Sequence, residues 1–60
     1  MTDKKYVQNF YPDSYDYEVS TGCWAVSCRR RLLGVGHNAI EAWSEAKNTI
    51  LSSMVRQLEQ

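Results

Sequence analysis

The sequence predicts an α+β fold: an antiparallel meander of three to four strands followed by one C-terminal amphipathic helix packed on one face. Three observations predict it. A capped amphipathic stretch occupies residues 38–58. Two shorter segments upstream, 15–20 and 23–29, alternate apolar with polar residues at the period of a strand. The connections between them are too short for anything but sequential neighbours.

The elements follow in order. Residues 1–5 are polar and read as a frayed, disordered tail. Residues 6–11 (Tyr-Val-Gln-Asn-Phe-Tyr) are strand formers with poor alternation, which suits a short edge strand or an ordered arm. Pro12, Asp13 and Ser14 make a turn. In 15–20, Tyr15, Tyr17 and Val19 share one side, and Asp16, Glu18 and Ser20 the other. Thr21-Gly22 is a two-residue hairpin turn. In 23–29, Trp24, Val26 and Cys28 share a side opposite Cys23, Ala25, Ser27 and Arg29. Arg30-Arg31 turns the chain into a short strand over 32–35. The expected core joins Tyr15, Tyr17, Val19, Trp24 and Val26 to the helix, leaving Asp16, Glu18, Ser20, Ser27 and Arg29 in water.

Gly34 and Gly36 interrupt the chain before the helix. Asn38 can accept from the Glu41 N–H while Glu41 reaches back to the Asn38 N–H, the reciprocal pattern of a capping box. On a helical wheel Ile40, Trp43, Ile50, Leu51, Met54, Val55 and Leu58 share a face. Ala39, Ala42 and Ala46 line a flank narrow enough for close approach, and Lys47 falls inside the apolar arc, its stem packed and its ammonium in water.

Size and charge bound the function. Sixty residues make one domain, 1–60, whose small core leaves stability marginal without association or a cross-link. Seven basic and seven acidic side chains cancel. That excludes the basic surplus of a general nucleic-acid binder and the acidity of a DNA mimic. No apolar run reaches the roughly 20 residues that cross a bilayer, so the expectation is a cytoplasmic protein with no membrane contact. Cys23 and Cys28 are then free thiols, and on one extended strand they lie about 16 Å apart, too far to bond. Two cysteines and one histidine cannot build a four-ligand zinc site. No metal or cofactor is implied.

The stretch from Gly36 through Ile50 (Gly-His-Asn-Ala-Ile-Glu-Ala-Trp-Ser-Glu-Ala-Lys-Asn-Thr-Ile) resembles the strand-to-helix junction of HicB-type antitoxin domains. Those run glycine, a capping Thr or Asn, Glu-Ala, and a second Ala four residues on. It is also similar to small phage and prophage accessory proteins that end in a sheet-plus-helix unit. The resemblance covers about a quarter of the chain. The proline and Gly-Cys features of the HicB third strand and the separate DNA-binding segment are absent from this sequence. What it implies is a sheet-plus-helix fold and a phage, prophage or plasmid setting.

No spacing in the sequence requires a catalytic group to converge with another. His37 could act as a base only if Cys23 or Cys28 and Glu41 met it; the plain reading is a loop histidine beside the helix cap. Arg29, Arg30 and Arg31 are the sharpest charge feature, suited to a partner's carboxylates or to phosphate, or to pairing with Asp16 and Glu18. Tyr6, Phe10, Tyr11, Tyr15 and Tyr17 exceed what one small sheet face can hide, and Tyr and Arg dominate binding hot spots. The expectation is a non-enzymatic protein-binding module that inhibits or modulates a host protein or defence complex. Its contact residues are Arg29, Arg30, Arg31, Tyr11 and Tyr15. The alternative is a nucleic-acid-binding α+β domain that sets Arg29–Arg31 on phosphates. Met54, Val55 and Leu58 extend the helix stripe past a short sheet and suggest a homodimer contact.

Overall fold

In a computed structural model of the chain, α1 (Asp3–Phe10) leads into β1 (Tyr15–Ser20), β2 (Cys23–Cys28) and β3 (Arg31–Gly36), and α2 (Ala39–Glu59) closes the order. Backbone is described over residues 2–59 and side chains over residues 2–54.

α1 corrects the expectation of a tail over 1–5 and a strand or arm over 6–11. Thr2 caps it: its Oγ1 accepts the Lys5 N–H at 3.2 Å, and its carbonyl accepts from the Tyr6 N–H at 3.0 Å. Asp3 sits in the first turn, where a carboxylate favours the helix dipole. Tyr6, Val7, Phe10 and Tyr11 recur at helical spacing, which outweighs their strand propensity once a core is there to meet them. Val7 has no exposed surface, Tyr6 and Tyr11 pack beside the core, and the Tyr6 and Phe10 rings lie 5.3 Å apart. Burying the valine alone contributes roughly 1.5–2 kcal/mol. Pro12 bars the helical conformation at Tyr11 and ends α1. Tyr11 donates to the Val7 carbonyl at 2.8 Å, and its own carbonyl accepts from Ser14 at 2.9 Å, closing the Pro12-Asp13 turn.

The three strands form one antiparallel sheet in the order β1-β2-β3. Gly22, at φ 75°, supplies the positive φ of the β1–β2 turn. Register assigns the faces. Asp16–Val26–Gly34 and Glu18–Trp24–Gly36 form rows on the inner face, and Tyr15–Ser27–Leu32 and Tyr17–Ala25–Val35 form rows on the outer face. Trp24, Val26 and Cys28 therefore point to the core, as their alternation predicts. β1 is the reverse of the expectation: Tyr15 and Tyr17 lie on the outer face and are exposed, Val19 is exposed at the bulge, and Asp16 and Glu18 share the helix side. Alternation tells which residues go together, but the turn and its register decide which way they face. Bulges displace the ladder between Glu18 and Ser20 and between Val26 and Ser27. The second turns Leu33 into the core.

α1 and α2 both cover the inner face. Val7, Val26, Cys28, Leu33, Ala42, Trp43, Ala46 and Ile50 form the buried cluster. The helix docks along its small flank rather than its apolar arc. A Cβ on Gly34 would lie 2.6 Å from the Ala42 carbonyl oxygen and would overlap the Ala46 nitrogen; one on Gly36 would lie 2.7 Å from the Ala42 nitrogen. Only bare backbone on β3 admits a helix this close, so Ala42 and Ala46 are fully buried. The consequence corrects the wheel: Trp43 and Ile50 are buried, but Ile40 is 80% exposed and Leu51 is exposed as well.

Asn38 Oδ1 accepts the Glu41 N–H at 2.9 Å, as a helix cap should. The return bond differs from a capping box, because Glu41 Oε2 accepts from the His37 N–H at 2.8 Å instead of from Asn38. Lys47 leans on α1, its Nζ 3.4 Å from Asp3 Oδ1 and 5.3 Å from the Tyr6 ring centroid. Its stem packs while its ammonium finds a carboxylate and an aromatic face, so it joins the two helices.

Candidate partner-binding surface

Among the described residues, the β2–β3 turn is the one place where non-glycine residues take positive φ. Arg29 and Arg30 are its two central residues, at φ 49° and 70°. A tight hairpin wants positive φ at both positions, and Asn-Gly meets that demand with little strain. Two arginines do not. Each left-handed non-glycine residue costs on the order of 1–2 kcal/mol. Arg30 and Arg31 do not form the turn by themselves, as expected from sequence; the turn begins one residue earlier and Arg31 opens β3.

The strained tip is held in place from one side. Arg29 donates from Nε and Nη2 to a single oxygen, Asp13 Oδ2, at 3.1 and 2.9 Å. Both side chains are open to water, 82% and 60% exposed, so the pair orients more than it stabilises. Arg29 Nη1 has no partner among the described residues. Asp13 takes the role in which the sequence suggested Asp16 and Glu18. Arg31 pairs with Cys28 and lays its guanidinium over Tyr11, 6.0 Å from the ring centroid. These side chains, with Phe10 and Pro12, line a groove of about 370 Å³ at the end of the sheet. Arg30 stands exposed at the tip. Tyr15 opens β1 at the same end of the sheet but on the outer face, its ring 5.6 Å from that of Tyr17. The five expected contact residues thus gather at one end, four around the turn and its groove and Tyr15 around the edge. Sequence reasoning missed Asp13, whose signal is its place in a turn that returns the chain to the arginines.

No family model matches this chain, and no curated protein or solved structure does. The function must be argued from these side chains.

A second groove, of about 510 Å³, lies at the opposite end, where Cys23, His37 and Glu41 come to the same depression. The imidazole Nδ1 is 3.2 Å from Glu41 Oε2, the same oxygen that accepts the His37 backbone N–H. That backbone hydrogen bond, then the one from the ring, hold the Glu41 carboxyl below its ordinary pKa. Cys23 Sγ makes no hydrogen bond to the ring among the described residues. The pair braces the entry to α2: one carboxylate fixes the last loop residue before the cap. Cys28 is buried in the core, and both cysteines are free thiols. Among the described residues no group of His, Cys, Asp and Glu is arranged to hold a metal ion, and no helix is long and apolar enough to cross a membrane. Met54 is half-buried and packs against the core. The side chains of Val55 and Leu58, expected with it at a dimer contact, lie outside the described residues.

Proposed function

We propose that this chain is a small, non-enzymatic protein-binding module, acting in the cytoplasm, that sets its arginine-tipped hairpin against an acidic surface of a partner protein. The strained turn carries the reading. Retaining Arg29 and Arg30 where Asn-Gly would fold with less strain gives up stability, and a chain with so small a core has little to spare. What the arginines gain is position: Arg29 is aligned by Asp13, Arg30 stands exposed beside it at the tip, and Arg31 lies over Tyr11. Guanidinium forks match carboxylates bidentately, and Tyr and Arg are the side chains that carry most binding energy. Arg29, Arg30 and Arg31 supply the charge and Tyr11 the aromatic surface beside them, while Tyr15 stands apart on the outer face of the sheet. Asp13 aligns Arg29 and is displaced or bridged when a partner carboxylate arrives.

The biological role we assign is inhibition or modulation of a host protein or defence complex by a phage-, prophage- or plasmid-encoded protein. Support comes from the concentration of its binding chemistry at one end and from the resemblance over 36–50.

The test is capture from bacterial lysate on immobilised wild type and on an Arg29→Ala/Arg30→Ala/Arg31→Ala variant, with folding of both checked by circular dichroism. A protein retained by wild type and lost by the variant supports the reading; equal recovery contradicts it. Micromolar, salt-sensitive binding of a labelled duplex, lost in the same variant, would move the arginines onto phosphates instead.

A further inference from the structure

The outer face of the sheet breaks the usual rule for a sheet covered on one side. Such a sheet turns its polar residues to water. Here Asp16 and Glu18 share the face that carries the helices, and the open face presents Tyr15 at 52% exposure, Tyr17 at 39%, Leu32 at 59% and Val35 at 48%. Shifting the β1 pairing by one residue would exchange the two sets, yet the ladder holds the apolar set outward. The face is ordered as well as apolar. Ala25 and Ser27 of the middle strand are nearly inaccessible between their neighbours, and Tyr17 Oη lies 3.2 Å from Ser27 Oγ. Both helices lie on the other side, so nothing in the described chain forms a second layer here.

We propose that this face is covered by the same face of a second copy, giving a two-fold homodimer of stacked sheets. Its charge decides the occupant. The rows Tyr15–Ser27–Leu32 and Tyr17–Ala25–Val35 contain no ionisable acid or base apart from the tyrosine hydroxyls. A charged partner finds no complement there, whereas a two-fold copy meets an identical uncharged surface, and the chain's zero net charge does not oppose its approach. The area suits a weak dimer. Three strands of six residues make a face of about 20 by 14 Å at ideal spacings. Corrugated by side chains and counted on both copies, that is on the order of 1,000 Å², the lower bound of a specific interface. Two such sheets stack about 10 Å apart with strands crossing near 30°. This places the dimer on the sheet and not on the helix end at Met54, Val55 and Leu58, and leaves the arginine tips clear at the rim.

Sedimentation equilibrium of the full chain, from low micromolar to several hundred micromolar, is expected to show the mass rising from 6.9 kDa toward twice that value. Leu32→Glu and Val35→Lys are expected to hold it at 6.9 kDa with an unchanged circular dichroism spectrum, since both side chains are exposed in the single copy. Leu58→Glu and Arg30→Ala are expected to leave the dimer intact. Isotope-filtered NMR of mixed labelled and unlabelled chains gives a readout free of variants: contacts between Val35 methyls of one copy and Tyr15 or Tyr17 rings of the other. A wild type that stays monomeric throughout, a dimer indifferent to both sheet variants, or a dimer abolished by Leu58→Glu would overturn the proposal.

Discussion

Gly34 lies so close to α2 that a methyl group on it would occupy the space of the Ala46 backbone nitrogen. This contact fixes how the helix sits on the sheet. Gly34→Ala should therefore cost about 3 kcal/mol, the upper range for forcing a group into a packed interior. Gly22→Ala makes a useful control. It has φ 75° and open space around the missing Cβ, so only backbone strain applies, about 1 kcal/mol. Urea denaturation of both variants checks the ranking; equal losses would refute the close docking of α2.

Val7 is the one residue of α1 that enters the main core with no exposed surface. Val7→Ala should lose about 2 kcal/mol. Lys47→Ala should lose much less, about 0.5 kcal/mol, because its ion pair with Asp3 is partly solvated. Both changes should lower hydrogen-exchange protection in α1 before any other element. If residues 3–10 exchange as an unfolded chain in the wild type, the helix is not docked as described.

The Glu41 carboxyl has its pKa lowered on folding by the His37 backbone N–H and ring. A carboxyl that is more acidic when folded stabilises the fold at pH values above its ordinary unfolded pKa. The contribution fades as pH falls below that value and is gone once pH passes the depressed folded pKa. Glu41→Gln should therefore be less stable than wild type near pH 7, and the two should converge on acidification. A gap that stays constant from pH 7 to pH 3 would remove the bond from the account.

Much of this architecture is legible in the sequence. The C-terminal helix announces itself through Asn38 and the alanines, and the middle strand through Trp24, Val26 and Cys28, because its neighbours on both sides leave its faces no choice. α1 was concealed by residue type: Tyr6, Val7, Phe10 and Tyr11 favour strands individually, and only their spacing and the Thr2 cap favour a helix. The outward turn of Tyr15 and Tyr17 depends on register at the Thr21-Gly22 turn and the bulge beside it, and pairing is not a property of β1 alone. Exposure of Ile40 follows from two glycines on another element. The arginine cluster was visible as charge, but its strain belongs to the turn that the strands impose.

That strain offers the most direct measurement. Replacing Arg29 and Arg30 together (Arg29→Asn, Arg30→Gly) gives the hairpin the residues its backbone favours. If the arginines are kept for contact, the variant should gain about 1–2 kcal/mol in urea denaturation and lose the protein captured by wild type. A variant that still captures that protein, or one that gains no stability, would contradict the claim that fold stability is given up here for binding.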